Sequence, residues 1–344
     1  MSALWVKAFG VISILSGLSQ SAPQAAYAIQ HRFHLSGDEG WDFLASDPGS
    51  GRLFISHGSQ TQVMDERSGA LLGAIPDTKG VHGIALAAEF GKGYISCGKD
   101  TSLIVFDLKT LATLRKVKST GNNPDAILYD PFSKRIFAFN GKSNSATVLD
   151  PASDSVVATI PLGGKPEVAV TDGKGRLFLN LEDKGLLAVL DAKAGKVVAT
   201  WPLAPGEEPS GLAIDAGSGR LFSVCANKLM IVLDGATGKR LATVPIGSGV
   251  DGVAYDAAEK RIFASNGEGT LTIVQASDKD EYRVLQTLPT QKGARTITVD
   301  PKTHHVFLPT ADFGPAPAPT PEHPKSRPPV IPNTFVVLDI APST

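Results

Sequence analysis

Beyond about residue 40, the chain is a succession of short runs in which apolar and polar residues alternate. Between residues 167 and 202 it reads "EVAVTD", "RLFLNL", "LLAVLD" and "KVVATWP", with Gly, Asp and Lys between the runs. A period of two marks strands half-buried in a sheet, and the intervening residues suit tight turns. Asp at the end of a run can accept hydrogen bonds from turn N–H groups, and Gly supplies positive φ, as in "DGKGR" and "DGATGK". No long segment carries the helical period.

The four-run block repeats. The residue ending its first run is Asp47, Ala87, Asp130, Asp172, Asp215, Asp256 or Asp300, spaced 40 to 44 residues apart. An aromatic follows in the second run: Phe54, Tyr94, Phe137, Phe178, Phe222, Phe263 and Phe307. Two residues before it stands Arg52, Lys92, Arg135, Arg176, Arg220, Arg261 or His305. Seven four-stranded units at this period predict an all-β, seven-bladed β-propeller with strands A to D in each blade. The aromatics are expected to pack between neighbouring sheets. The last unit ends after strand C. The unpaired "AIQHRFHL" near the N-terminus is therefore expected to close the ring as the outer strand of blade seven.

The stretch "FAFNGKSNSATVLDPASDSVVATIPLGGKPEVAV" resembles the YVTN-type β-propeller repeat of exported YncE-like and surface-layer proteins. The resemblance runs through the chain from residue 29, strongest in blades three to six. It departs at Ala87 and Gln275, where the other blades carry Asp. It implies an exported propeller and assigns no chemistry, because this fold hosts many functions.

The first 28 residues read as a leader: Lys7, a short apolar run from Ala8 to Leu18, then Ala26 and Ala28 at −3 and −1 of a cleavage site. The run is too short to span a membrane. The expected division is a signal peptide at 1–28 and a propeller at 29–344, the mature protein being periplasmic or secreted. Two cysteines, Cys97 and Cys225, exclude a disulfide scaffold. They sit in equivalent positions of blades two and five, too far apart to bond. A monomer is expected.

Function is sought on one face. The A–B and C–D turns are short and uniform, whereas the D–A and B–C loops vary, and variable loops on a rigid scaffold are where binding resides. Blade seven carries a proline-rich B–C insertion at 311–333, with eight of the 24 prolines between Gly314 and Pro332. Prolines favour extended structure, so it reads as a semi-rigid flap beside the channel mouth, presenting Glu322, His323, Lys325 and Arg327. The starts of the A strands bring Asp42, His82, Asp125, Glu167, Ser210, Asp251 and Arg295 to that mouth. Such a ring could hold a polar ligand or a hard divalent cation. No cofactor motif is present. His57, His82 and Cys97, from adjacent blades, form a weak soft-metal candidate. An N-terminal amine with His31 at the third position would form another, if cleavage falls after Ala28.

The first functional reading is a binding or scaffold propeller for a small polar ligand, a glycan or a protein. The alternative is a metal-assisted, lactonase- or lyase-like enzyme with His82 as base and Asp42, Glu167 and Asp251 on the metal. Nucleic acid is disfavoured: net charge is −1, and the variable-face loops carry more acidic than basic residues.

Overall fold

The computed structural model describes residues 1, 26–37, 39–318 and 328–343. The leader residues 2–25 and the flap residues Glu322, His323, Lys325 and Arg327 lie outside the described residues. The rest forms seven four-stranded antiparallel sheets arranged as a propeller. Blade one is typical, with strands Trp41–Asp47, Arg52–His57, Gln60–Asp65 and Leu71–Ile75. Six sheets follow chain order from the inner to the outer strand.

The seventh closes the ring as expected. Its strands are Thr298–Val299, Val306–Thr310 and Val336–Pro342, and Tyr27–His34 pairs with the last of these. The register runs from Tyr27 opposite Pro342 to His34 opposite Val336. The closing strand thus starts two residues before the expected cleavage point. Tyr27 is 4% exposed, its ring lies 5.2 Å from Phe263, and its backbone N–H and carbonyl both bond the Gln286 side chain. The innermost strand of blade seven is shorter than "TITVD" suggested.

The hydrophobic core lies between sheets rather than within one. All seven repeating aromatics are fully or almost fully buried and join clusters that bridge adjacent blades. The basic residue preceding the aromatic also serves this seam at several junctions. Lys92 of blade two reaches the Pro151 carbonyl and Asp154 of blade three, Arg176 reaches the Gly235 carbonyl, and Arg220 chelates Asp280.

Turn chemistry follows the repeat. Asp65, Asp107, Asp191 and Asp234 each accept backbone N–H bonds in their C–D turns. The same turn position takes positive φ at Gly69, Leu111, Asp154, Gly195, Gly238 and Asp280, so glycine there is favoured but not obligatory. The two departures are compensated. After Ala87 the chain makes a single 3-10 turn, Ala88–Phe90, closed by Gly91. After Gln275 the Ser277 hydroxyl accepts the turn N–H groups of Lys279 and Glu281.

Candidate functional site

Each inner strand of blades one to six opens with a buried residue: Trp41, Val81, Pro124, Pro166, Pro209 or Val250. Strand pairing slips just after that residue in all six blades. A bulge leaves a residue unpaired and re-aims its side chain. The residues lying in these irregularities are Asp42, His82, Asp125, Glu167, Ser210 and Asp251, and the seventh ring residue, Arg295, precedes its short strand altogether.

Their backbone is pinned from the side. Ser56 donates to the His82 carbonyl, Ser96 to that of Asp125, and Ser265 to that of Arg295. Asn180 bonds the Ser210 carbonyl at 3.1 Å and Thr296 the Asp42 carbonyl at 2.7 Å. In each pair the donor belongs to the blade before the residue it holds. These positioning residues were missed in the sequence. Their signal was a small polar residue near the end of a mostly apolar second strand ("LFISH", "GYISC", "IFASN"), or, for Thr296, a threonine next to a ring residue.

Five of the seven ring residues form a continuous polar arc. His82 Nδ1 lies 2.6 Å from Asp42 and 3.7 Å from Asp125. Arg295 Nε lies 2.8 Å from Asp251, and its Nη2 stands 3.9 Å from Asp42. One atom each from Asp42, His82 and Asp125 lie within 4.8 Å of one another, a spacing that suits a single small cation. Glu167 stands aside, paired with Lys165 at 2.8 Å, which also meets Glu182. Ser210 is turned into the wall, 3.4 Å from the Val250 carbonyl. Gly98 lets the loop of blade two lie over this arc, since a Cβ there would stand 2.7 Å from His82 Nε2.

Negative charge is in excess. Burial, together with the charges of Asp42 and Asp251, pushes Asp125 up to about 6 despite the attraction of His82. Burial pushes Glu167 up to about 7 against its Lys165 partner. Burial also raises Asp251, although Arg295 opposes it. Burial alone would lower His82, but its hydrogen bond to Asp42 and the charges of Asp125 and Asp42 win, and it is raised. Burial is the largest cause of all three raised carboxylates, and neighbouring carboxylates add to it.

The weaker metal candidates do not converge. His57 is buried, bonded to Gln62 and the Glu39 carbonyl, and stacked on Phe335 at 3.8 Å. Cys97 is fully buried in the core between blades one and two, with its thiol pushed up to about 12 by burial. Neither joins the three-residue cluster around His82. His31 lies within the closing strand on the opposite face, its Nδ1 2.9 Å from Asp339. Ile29 and His31 are both paired along that strand, with a register shift between them. Both cysteines are free.

The base of the proline-rich excursion is ordered on the mouth face. Phe313 bridges Val330, Gly314 N–H donates to the Pro329 carbonyl, and Ile331 N–H donates to that of Asp312. Phe313 packs 5.8 Å from Trp41 of blade one, in one cluster with Val330 and Phe335. The excursion therefore springs from a two-stranded stem clamped across the ring closure. The sequence reading of 311–333 as a flap gave its ends no part in the core. The ends do take part, because Phe313 and Val330 are apolar and cover Trp41.

The site and repeats define a seven-bladed β-propeller with a polar, electronegative mouth. No protein-family model matches the chain, and none of the curated proteins matches it. Solved propellers resemble it in fold. A chain of Kuenenia stuttgartiensis hydrazine synthase is 18% identical, with a TM-score of 0.69 over 80% of this chain and 94% of that one. A chain of the mitotic checkpoint complex is 14% identical, with 0.71 over 89% and 95%. The WD40 repeats of RRP9 are 10% identical, with 0.74 over 92% and 99%. No helix among the described residues is long and apolar enough to cross a membrane.

Proposed function

We propose that this chain is a binding propeller of the exported, YVTN-repeat type, whose channel mouth holds a polar ligand through a divalent cation. The observation that carries this reading is the Asp42–His82–Asp125 group, three ligand atoms of mixed type within 4.8 Å in a site with surplus negative charge. Arg295, held by Asp251, stands beside it and would meet an anionic group of the ligand. The cation would neutralise the carboxylates. The structural neighbours include a chain of the mitotic checkpoint complex and a chain of hydrazine synthase, so the propeller fold by itself is compatible with either role, and the reading rests on the site. Export rests on the leader read in residues 1–28, and N-terminal sequencing of secreted protein tests it. A cut after Ala28 would remove Tyr27 from the closing strand.

The direct test is titration of the metal-stripped protein with Mn2+, Ca2+ and Zn2+. One equivalent of at least one of these should bind, and His82→Ala and Asp42→Asn should each weaken it by about tenfold or more. Absence of saturable binding, or undiminished binding in both variants, refutes the reading. A second reading uses the same pair differently: a carboxylate 2.6 Å from Nδ1 orients an imidazole as a general base. It predicts turnover of a lactone or similar substrate that is lost in His82→Ala.

A further inference from the structure

The residue that follows each ring member is no larger than valine in six blades: Gly83, Ala126, Val168, Gly211, Gly252 and Thr296. In blade one it is Phe43. Small residues suit inner strands that crowd one axis. A Cβ on Gly83, for instance, would stand 2.9 Å from the Asp125 carbonyl oxygen. Phe43 is half-buried and joins none of the seven clusters that hold the blades together. Packing between blades therefore does not account for it.

Phe43 instead borders a cavity of about 160 Å³, with Ile84, Ile127, Leu128 and Val168. The lining comes from the inner strands of blades one to four, and every lining side chain is apolar, so the polar groups that reach the cavity belong to the backbone. These residues follow Asp42, His82, Asp125 and Glu167 by one to three positions, which places the cavity within about 10 Å of the ring at the rise of a strand. Polar and apolar parts meet in blade one. Pairing slips between Trp41 and Leu44, leaving Asp42 and Phe43 between the paired positions. Asp42 meets His82 and Arg295, and Phe43 lines the cavity. Apolar walls beside a few placed polar groups are the usual make-up of a small-molecule site. An apolar cavity of about 150 Å³ holds one benzene ring.

We infer that the ligand of the mouth is an aryl carboxylate, with its single ring in this cavity against Phe43 and its carboxylate directed to the cation and to Arg295. The inference rests on the reading of the mouth as a cation-assisted site for a polar ligand. The cation is needed because Asp42 and Asp125 would otherwise repel the incoming anion. A wholly polar ligand would gain nothing from the apolar walls.

The test is calorimetric titration of the full chain with benzoate and with acetate, on metal-free protein and on protein loaded with whichever of Mn2+, Ca2+ and Zn2+ it binds. On the loaded protein, benzoate should bind 1:1 and about tenfold or more tightly than acetate, because only benzoate buries a ring. Phe43→Ala should remove most of that preference by weakening benzoate. Cation binding with no preference for benzoate would overturn this inference and leave the cation site standing. Should no cation bind, the reading of the mouth fails, and the cavity is judged on metal-free protein, where Arg295 remains; equal affinities for benzoate and acetate there overturn the inference as well. Benzoate binding that survives both Phe43→Ala and Arg295→Ala lies elsewhere and also overturns it. The wild-type comparison of benzoate with acetate decides the matter even where Phe43→Ala folds poorly.

Discussion

Replacing Asp125 by Asn should stabilise the ligand-free protein. In the fold its carboxyl is pushed up to about 6, from an ordinary value of 3.8, chiefly by burial and then by Asp42 and Asp251. A tenfold change in proton affinity corresponds to about 1.4 kcal/mol, so keeping this carboxylate ionised at neutral pH costs on the order of 3 kcal/mol. Its side chain is 26% exposed, and removing its charge also takes away the attraction to His82 at 3.7 Å. A net gain of about 1–2 kcal/mol remains, or a few degrees in melting temperature. The folded value lies above the unfolded one, so this contribution to stability is complete below about pH 4 and is lost as pH rises through about 6. Glu167, Asp251 and His82 are shifted in the same direction, and each loses stability with rising pH. Wild-type stability should therefore rise between about pH 8 and about pH 5, and Asp125→Asn should flatten that slope. Urea unfolding across this range, on metal-stripped protein, makes the measurement. An Asp125→Asn protein less stable than wild type near neutral pH, with an unchanged pH slope, would refute the reasoning.

Other outcomes follow from the seams. In protein that keeps residues 26–28, Tyr27→Ala should cost about 3–5 kcal/mol by calorimetry, because the ring is buried against Phe263 at the closure. Ser96→Ala removes the hydroxyl bonded to Gly83 N–H and the Asp125 carbonyl; it should cost about 1 kcal/mol and weaken cation binding at the mouth although Ser96 cannot touch the ion. Native Cys97 and Cys225 should not react with a thiol reagent at neutral pH, and both should react after denaturation, since each is buried and pushed up to about 12. Replacing residues 315–328 by a short Gly-Ser turn should leave the melting temperature nearly unchanged, whereas extending the replacement through Phe313 and Val330 should destabilise by about 2 kcal/mol or more.

The repeat was legible because each blade carries the same local instructions: alternating apolar runs, Asp and Gly at the turns, and an aromatic in the second strand. These act over a few residues and recur seven times, so blade number, strand order and the closing role of Tyr27–His34 follow from local pattern alone. The ring Asp42 to Arg295 was legible for the same reason, as one aligned position. What the sequence alone left open is which members of that ring meet. His82 lies 40 residues from Asp42 and 43 from Asp125, and Arg295 lies 253 from Asp42. Their distances are set by bulges and by Ser56, Ser96, Ser265 and Thr296 reaching across blade boundaries. The burial that raises Asp125 and Glu167 and the clamp of Phe313 on Trp41 both belong to contacts between blades. Local sequence does not encode them; closing the ring fixes which charges share a dielectric boundary.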